Sequence, residues 1–191
     1  KYDQVEHKIV ECLLDNFTEI EFPDYSYFKG IYLFPVEFIE NEIFRLINFT
    51  GNFKMDNLKI VSDGAFVESN FSGELSLPVC EQIGDSAFVN STFSGELSLP
   101  VCTQIREYAF FNSVFTGDFD CPNLTTVDKN AFYSSVFNGD FNCPNLQTVG
   151  ERAFVNSKFT GDFECPNLQA VGIGAFYYSQ FNGVFNCPNL T

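Results

Sequence analysis

The chain of 191 residues contains no tryptophan, one methionine and one histidine, His7. A single histidine leaves little basis for acid–base catalysis or a histidine-rich metal site. Positive charge is also scarce, with 10 basic residues against 25 acidic ones and a formal net charge of −15. Because nucleic-acid binding depends on clustered lysine and arginine, we predict no nucleic-acid partner.

Long hydrophobic runs are missing too. No apolar stretch approaches the roughly 18 residues of a membrane span, so we predict no direct membrane insertion by this segment. The sequence begins with Lys1 instead of methionine and shows no signal peptide. We therefore expect a fragment or processed product of a longer protein, with targeting segments outside this sequence.

What the chain does have is a repeat: the pair Ala-Phe recurs every 22 residues without insertion. The alanines are Ala65, Ala87, Ala109, Ala131, Ala153 and Ala175. Counted from the Phe that opens each unit, six complete repeats and half of a seventh cover residues 49–191, and positions within a unit run from 1 to 22. A fixed period of this kind is typical of a solenoid, in which each coil packs on its neighbours.

Each unit predicts one coil. Positions 5 and 7 are apolar and alternate with polar residues, which predicts a short strand ended by the Pro of position 8. The apolar residue at position 13, with Ala and Phe at positions 17 and 18, has the spacing of a helical turn. Gly at position 3 predicts positive φ or a close backbone approach, and Ser at position 21 is expected to hydrogen-bond local backbone.

The region before residue 49 predicts the start of the array. Residues 27–48 fit the same frame as a degenerate first coil, with Ile31 and Leu33 on the strand and Phe44 in the Phe column. Residues 3–16 have helical spacing, and a strand ending at Pro23 follows, so residues 1–26 are predicted to be an N-terminal helix–strand cap. The array stops at Thr191 without a cap, so we expect the natural chain to continue and this open end to favour end-to-end self-association.

Several units share a local motif with a known repeat family. The motif comprises Leu77 and Pro78 followed by Ile83, Gly84, Ala87 and Phe88, and Leu99 and Pro100 followed by Ile105, Ala109 and Phe110. These stretches resemble the BspA-like, treponemal-type leucine-rich repeat. The resemblance implies a leucine-rich-repeat-like solenoid and a role in adhesion or host-protein binding, because members of this family are mostly cell-surface or secreted proteins.

Six of the seven cysteines fall in two columns of the repeat. Position 10 holds Cys80 and Cys102, and position 7 holds Cys121, Cys143, Cys165 and Cys187, while Cys12 lies in the predicted cap helix. In these coils, where one of the two positions is Cys the other is Leu, which keeps the core volume constant. We therefore interpret the cysteines as small core residues, although adjacent coils bring cysteines of the same column to roughly 5 Å, which leaves occasional bridging open. No C-x-x-C pair is present to support a zinc site.

The outward positions 4 and 6 carry the strongest candidate site, an acidic face. Its carboxylates are Glu74, Glu96, Asp118, Asp140 and Asp162 at position 4, and Asp120 and Glu164 at position 6. Like charges opposite each other on neighbouring strands are destabilising. One interpretation is a solvated face that blocks edge-to-edge aggregation. The other is a groove for a basic protein segment or, as a minor option, for Ca²⁺ beside Asp118 and Asp120 or Asp162 and Glu164.

Two further features lie on the outside of the predicted coils, an Asn column and a set of aromatic residues. Asn at position 9, from Asn123 onwards, is expected to cap backbone groups at the bend after Pro. The aromatics Phe111, Tyr133, Tyr177 and Tyr178 either form a contact surface or cover the predicted helical turns.

Together these patterns predict a single right-handed solenoid, with short parallel strands on one face, helical turns on the other and an N-terminal helix–strand cap. With no nucleophile–base pair and no phosphate-binding loop, we predict no enzyme and no cofactor. The leading hypothesis is a protein-binding or adhesion module at the cell surface or outside the cell. The alternative is a cytoplasmic structural scaffold, which unpaired thiols favour.

Overall fold

The computed structural model describes residues 20–22, 27–28, 31–32, 44–46, 48–49 and 52–190. Each coil in this part consists of three short strand segments and one run of turns, and like segments of successive coils pair in parallel. The prediction of a strand solenoid is confirmed. The prediction of strands on one face only is wrong, because positions 12–13 and 22–1 form strands as well as positions 5–6.

Three ladders of strands, numbered in chain order, run along the array. The first contains β4 Asn48–Phe49, β7 Asn70–Phe71, β10 Thr92–Phe93, β13 Val114–Phe115, β16 Val136–Phe137, β19 Lys158–Phe159 and β22 Gln180–Phe181. The second contains β1 Ile20–Phe22, β5 Phe53–Met55, β8 Leu75–Ser76 and β11 Leu97–Ser98, then β14 Phe119–Asp120, β17 Phe141–Asn142, β20 Phe163–Glu164 and β23 Phe185–Asn186. The third contains β6 Ile60–Val61, β9 Gln82–Ile83, β12 Gln104–Ile105, β15 Thr126–Val127, β18 Thr148–Val149 and β21 Ala170–Val171.

The second ladder is interrupted in the middle of the array. β11 pairs with β8, and β14 pairs with β17, but β11 and β14 do not pair with each other. At this junction the core pattern changes from Leu at position 7 and Cys at position 10 to the reverse. The Cys121 thiol at the junction lies 3.5 Å from the Leu99 carbonyl oxygen, to which it donates. The change of side-chain size therefore coincides with a local separation of the two strands.

The turns after the third ladder are not helical. Positions 16 and 20 have φ between 54° and 66° in every coil where they are described, for example at Ser86 and Asn90. Hydrogen bonds from Ala87 N–H to the Gly84 carbonyl and from Ser91 N–H to the Phe88 carbonyl close successive four-residue turns. Their positive φ at the third residue is the geometry of type II turns.

The predicted helical turn is absent from the described coils because its backbone N–H groups bond to the neighbouring coil instead. Phe88 N–H donates to the Ala109 carbonyl at 2.7 Å, and Asn90 N–H donates to the Phe111 carbonyl at 2.9 Å. An α-helix would need these donors for carbonyls four residues back. The turns thus form a fourth line of inter-coil hydrogen bonds.

Three columns of phenylalanine fill the interior. Rings at positions 1, 5 and 18 stack on the same position of the next coil, with centroids 4.7–5.3 Å apart and interplanar angles of 1–11°. Rings of different columns meet edge to face, as Phe141 and Phe154 do at 89°. Both arrangements match the preferred geometries of aromatic pairs. The stacks at positions 1 and 18 continue through the described coils, whereas Leu75 and Leu97 interrupt the stack at position 5, and this stacking explains why Phe dominates the core.

The cysteines of the array lie in the same core and are free. Cys80, Cys102, Cys121, Cys143 and Cys165 are buried and Cys187 is half-buried, which confirms their interpretation as core residues. Burial raises the pKa of Cys80 to about 12 and that of Cys187 to about 11. The pKa of Cys102 is raised by its hydrogen bond to Cys121 and by burial. The thiols of Cys80, Cys102 and Cys187 are therefore protonated at neutral pH and weakly reactive. Cys12 lies outside the described residues.

Two further columns of the repeat, Ser at position 21 and Gly at position 3, lie against the preceding coil. Ser at position 21 is buried, and its hydroxyl donates to the carbonyl of the Phe at position 18 of the preceding coil, as Ser113 does to Phe88 at 2.7 Å. The predicted bond of this Ser to local backbone is thus wrong, since the acceptor lies 25 residues earlier. At position 3, a Cβ on Gly95 would collide with the backbone of Gly73, which confirms the close approach predicted there.

The N-terminal region fits the predicted frame in part. Strand β1 pairs in parallel with β5, while β2 Tyr27–Phe28 pairs antiparallel with β3 Ile31–Tyr32. The frame predicted that Ile31 lies on a strand of the second ladder, but Ile31 lies in this antiparallel pair instead. Phe44 is buried and stacks on Phe66 at 5.0 Å, as predicted for position 18. The cap helix over residues 3–16 lies outside the described residues, and the division into residues 1–26, 27–48 and 49–191 stays a prediction.

Candidate functional site

The five carboxylates of position 4 form a column along the outside of the second ladder, immediately before each strand. Glu96, Asp118 and Asp140 are exposed, and Glu74 and Asp162 are partly exposed. The alternation of the strand explains their direction, because the residue after each of them is buried in the core. We call these five residues the carboxylate column.

Three members of the carboxylate column form a chain of hydrogen bonds. Asp118 Oδ1 accepts the backbone N–H of Asp140 at 2.9 Å, and Asp140 Oδ1 accepts that of Asp162 at 2.8 Å. Asp162 Oδ1 continues the chain by accepting Val184 N–H at 2.7 Å. Such charge-assisted bonds offset part of the repulsion between stacked carboxylates. The aspartates are thus held at the coil repeat, roughly 5 Å apart.

An uncharged side chain makes the same bond at the start of the column. Asn52 Oδ1 accepts the N–H of Glu74 at 2.9 Å. Asn and Asp share a short side chain with an acceptor oxygen at the same distance from the backbone. The recurrence of Asn and Asp at position 4 was therefore a readable sign of a structural bond, and sequence analysis missed it.

The column is not continuous. In the described residues, the carboxylates of Glu74 and Glu96 do not accept the N–H of the next coil, and the break between β11 and β14 separates Glu96 from Asp118. The five carboxylates of the column therefore divide into a pair of glutamates and a hydrogen-bonded run of three aspartates.

The two acidic residues of position 6 are not neighbours. Strand register places Asp120 opposite Asn142, and Asn142 opposite Glu164. Glu164 Oε2 instead accepts a hydrogen bond from Asn186 Nδ2 at 2.6 Å. The asparagines between and beside the two carboxylates thus dilute the negative charge along this position.

The acidic face has no internal cations. Within the described part of the chain, none of its seven carboxylates forms an ion pair with a lysine or arginine. The ion pair of Lys54 and Asp56, at 2.8 Å, lies at the first coil of the same ladder, and that of Arg106 and Asp85, at 3.2 Å, lies on the turns. The seven carboxylates therefore leave a field of one sign over this side of the solenoid.

No metal centre is assembled among the described residues, where no three His, Cys, Asp or Glu side chains converge as ligands. Asp118 and Asp120, one of the two places considered for Ca²⁺, lie on either side of the buried Phe119. Calcium needs six to eight oxygen ligands, which two such carboxylates do not supply by themselves. A membrane-spanning helix is likewise not found in the residues that the structure describes.

The Asn column of position 9 behaves as predicted. Asn123 Nδ2 donates to the Pro100 carbonyl at 2.7 Å, and the asparagines of the next three coils make the equivalent bond. These side chains cap the carbonyl at position 8 of the preceding coil. They hold the bend after the second ladder.

The outer aromatics divide into two groups. Phe111 and Tyr133 are partly buried and stack on each other at 5.3 Å, so they cover the turns of adjacent coils. Tyr177 and Tyr178 are 58% and 69% exposed, and their ring centroids lie 4.0 Å apart. Phe111 and Tyr133 thus cover the turns, whereas a contact surface at Tyr177 and Tyr178 stays a prediction.

Stacked coils with parallel ladders and a continuous core define a repeat solenoid. The family model described as BspA type leucine rich repeat region matches the chain in six copies, over residues 14–135 and 59–182. These matches together span most of the sequence, so the chain belongs to the BspA-type leucine-rich-repeat family. No curated protein and no solved structure matches it.

Proposed function

We propose that the protein is a non-enzymatic recognition module whose acidic face binds a basic segment of a protein partner. The observation that carries this proposal is the hydrogen-bonded run of Asp118, Asp140 and Asp162, which fixes surface carboxylates at regular spacing, with no ion pair to a lysine or arginine of the described chain. Membership of a repeat-solenoid family supports a protein-binding role. A preorganised row of charge costs little ordering on binding and attracts a cationic partner over a distance.

The test separates charge from structure by replacing Asp118 and Asp140 with Asn. Asn52 makes the same bond in the first coil, so both variants keep an acceptor for the next N–H and lose only the charge. We expect the D118N/D140N protein to capture less of its partner from a native extract, with the difference shrinking as salt rises. Its free energy of unfolding should stay the same or increase slightly, because repulsion is removed.

A charge-matched control lies on another side of the solenoid, with Asp128 in the same coil as Asp118 and Asp63 in the first complete coil. Asp63 Oδ1 accepts Asp85 N–H at 2.8 Å, and Asp128 Oδ2 accepts Gln104 Nε2 at 3.0 Å. D63N/D128N therefore also removes two charges and keeps two acceptors. Equal recovery of the same proteins by wild type, D118N/D140N and D63N/D128N at low and high salt would reduce the acidic face to a solubility device.

We further propose that this recognition takes place at the cell surface or outside the cell, as adhesion. The alternative, an intracellular scaffold, draws support from the six free cysteines of the described array, because reduced thiols persist in the cytosol. Labelling intact source cells with a membrane-impermeant amine reagent distinguishes the two. Labelled protein supports adhesion, whereas labelling only after lysis supports the scaffold.

A further inference from the structure

Three Asn-x-Ser/Thr triplets lie entirely within the described residues, and the fold treats them differently. They begin at Asn70, Asn90 and Asn123. In each, the asparagine is exposed while the middle residue is buried, so the acceptor side chain faces solvent. This triplet is the acceptor sequence for an N-linked oligosaccharide in secreted proteins. What distinguishes the three sites is the use of the amide nitrogen Nδ2, the atom that would carry the sugar.

Asn70 and Asn90 have this nitrogen available. Asn70 lies on β7 of the first ladder, and its side chain makes no hydrogen bond within the described residues. Asn90 lies at position 20 with φ 58°, and it uses only Oδ1, which accepts Asn112 Nδ2 at 2.9 Å. A sugar on either nitrogen would displace no donor that the fold uses.

Asn123 has its nitrogen engaged. Its Nδ2 donates to the Pro100 carbonyl at 2.7 Å, as part of the Asn column that holds the bend. The Thr125 hydroxyl of the same triplet donates to the Thr103 carbonyl at 3.0 Å. A sugar on Asn123 would occupy one N–H position of the bonding amide and crowd the bend between two coils.

We propose that Asn70 and Asn90 are N-glycosylation sites of the folded protein and that glycosylation at Asn123 is incompatible with its native bend. In the reaction, Nδ2 bonds to C1 of the first sugar of a lipid-pyrophosphate-linked oligosaccharide. The bond from C1 to the pyrophosphate oxygen breaks, the lipid pyrophosphate leaves, and the amide loses one proton. This inference is independent of the acidic face as a binding site, since both asparagines lie away from the second ladder.

Transfer precedes folding, so the native contacts act afterwards, through the fate of each glycoform. A chain glycosylated at Asn70 or Asn90 keeps every described inter-coil hydrogen bond. A chain glycosylated at Asn123 loses or strains the bond to Pro100, which destabilises its bend. Secretory quality control retains less stable chains, so the secreted protein becomes depleted in the Asn123 glycoform.

The experiment expresses the whole chain behind a signal peptide in eukaryotic cells. Glycosidase treatment in heavy-oxygen water marks each formerly occupied asparagine, and peptide mass spectrometry then gives occupancy in the secreted and the cell-retained pools. We expect Asn70 and Asn90 to be occupied in the secreted pool, and Asn123 to be several-fold less occupied there than in the retained pool. Ser72→Ala should abolish the signal at Asn70 alone, and Thr92→Val that at Asn90 alone.

Two results would overturn the inference. One is a secreted protein in which Asn70 and Asn90 are both unmodified. The other is equal occupancy of Asn123 in the secreted and retained pools, because a glycan there would then be compatible with the native bend. The readout is covalent and local, so it is independent of whether the acidic face binds a partner.

Discussion

At the scale of single residues, the most demanding positions are 16 and 20 of each coil, which hold the backbone in the left-handed region. Among the residues that the structure describes, eleven non-glycine residues adopt positive φ, all of them at these two positions. Their side chains range from Asn and Ser to Tyr108 and Arg152. Left-handed conformation costs an L-residue roughly 1–2 kcal/mol, and the inter-coil hydrogen bonds of the turns compensate for that cost.

Arg152 offers a direct test of that strain. The equivalent positions of two other coils carry Gly64 and Gly174, both with positive φ. Arg152→Gly should therefore raise the free energy of unfolding by about 0.5–1 kcal/mol, the relief of strain less the greater freedom of Gly in the unfolded chain. Chemical denaturation of wild type and variant gives this difference.

The matched control for this variant is Lys129→Gly. Lys129 is an exposed turn residue of the preceding coil without positive φ, so the change removes a side chain and relieves no strain. It should lower the free energy of unfolding by roughly 0.5–1 kcal/mol. Destabilisation by both variants would contradict strain at position 16.

At the scale of the coil, positions 7 and 10 behave as one packing unit. Cys143 and Leu146 are both fully buried, and their side chains belong to one core cluster. Coils of the opposite order carry Leu99 and Cys102 in the same places. The second ladder breaks where the two kinds of coil meet, and position 5 changes from Leu97 to Phe119 at the same junction.

Exchanging the two residues tests this packing. Cys143→Leu alone should overpack the coil and cost roughly 1–3 kcal/mol of unfolding free energy. Adding Leu146→Cys restores the total side-chain volume, so the double variant should recover most of that loss in denaturation experiments. A double variant no more stable than Cys143→Leu would show that volume compensation does not govern these two positions.

The elements differ in how far the sequence could predict them. The strand at positions 5–6 was predictable because apolar positions 5 and 7 alternate around a polar one. The strands at positions 12–13 and 22–1 are only two residues long and bury at most one of them, as in Gln104–Ile105. A strand of this length shows no alternation that the sequence could reveal. The Ala-Phe spacing mimicked a helix because both side chains of a turn such as Ala87 and Phe88 point inward.

The candidate site was predictable in position but not in structure. Periodicity placed Asp118, Asp140 and Asp162 in one outward column. Periodicity alone does not show that each carboxylate accepts an N–H 22 residues later, and the one sign of that bond was the sharing of position 4 by Asn52 and the aspartates. The break before Asp118 was equally hidden, because the repeat length stays constant across it.

At the scale of the whole molecule, neighbouring coils stabilise each other through the Phe stacks, the ladders and the Ser column. In a solenoid, each coil is stabilised by its two neighbours, so a terminal coil has half of this support. In the polypeptide that ends at Thr191, the last coil lacks a following neighbour, and there Phe185 is 40% exposed and Val184 is 59% exposed, whereas Phe163, equivalent to Phe185, is buried. Differences in local stability along the array should therefore appear at its ends.

Hydrogen exchange tests this in the polypeptide that ends at Thr191. Phe163 N–H donates to the Val184 carbonyl at 2.8 Å, and Phe141 N–H donates to the Asp162 carbonyl at 2.7 Å, but Phe185 N–H has no following coil in the described chain. We expect amides from 181 to 190 to exchange fastest of all array coils, with residues 93–136 as the internal reference.

The measurement belongs at concentrations where sedimentation shows a monomer, since end-to-end association would bury the same edge and slow exchange there as concentration rises. Uniform protection from Phe71 to Leu190 in a verified monomer would mean that the last coil is stable without a neighbour, and that its stability does not come from stacking.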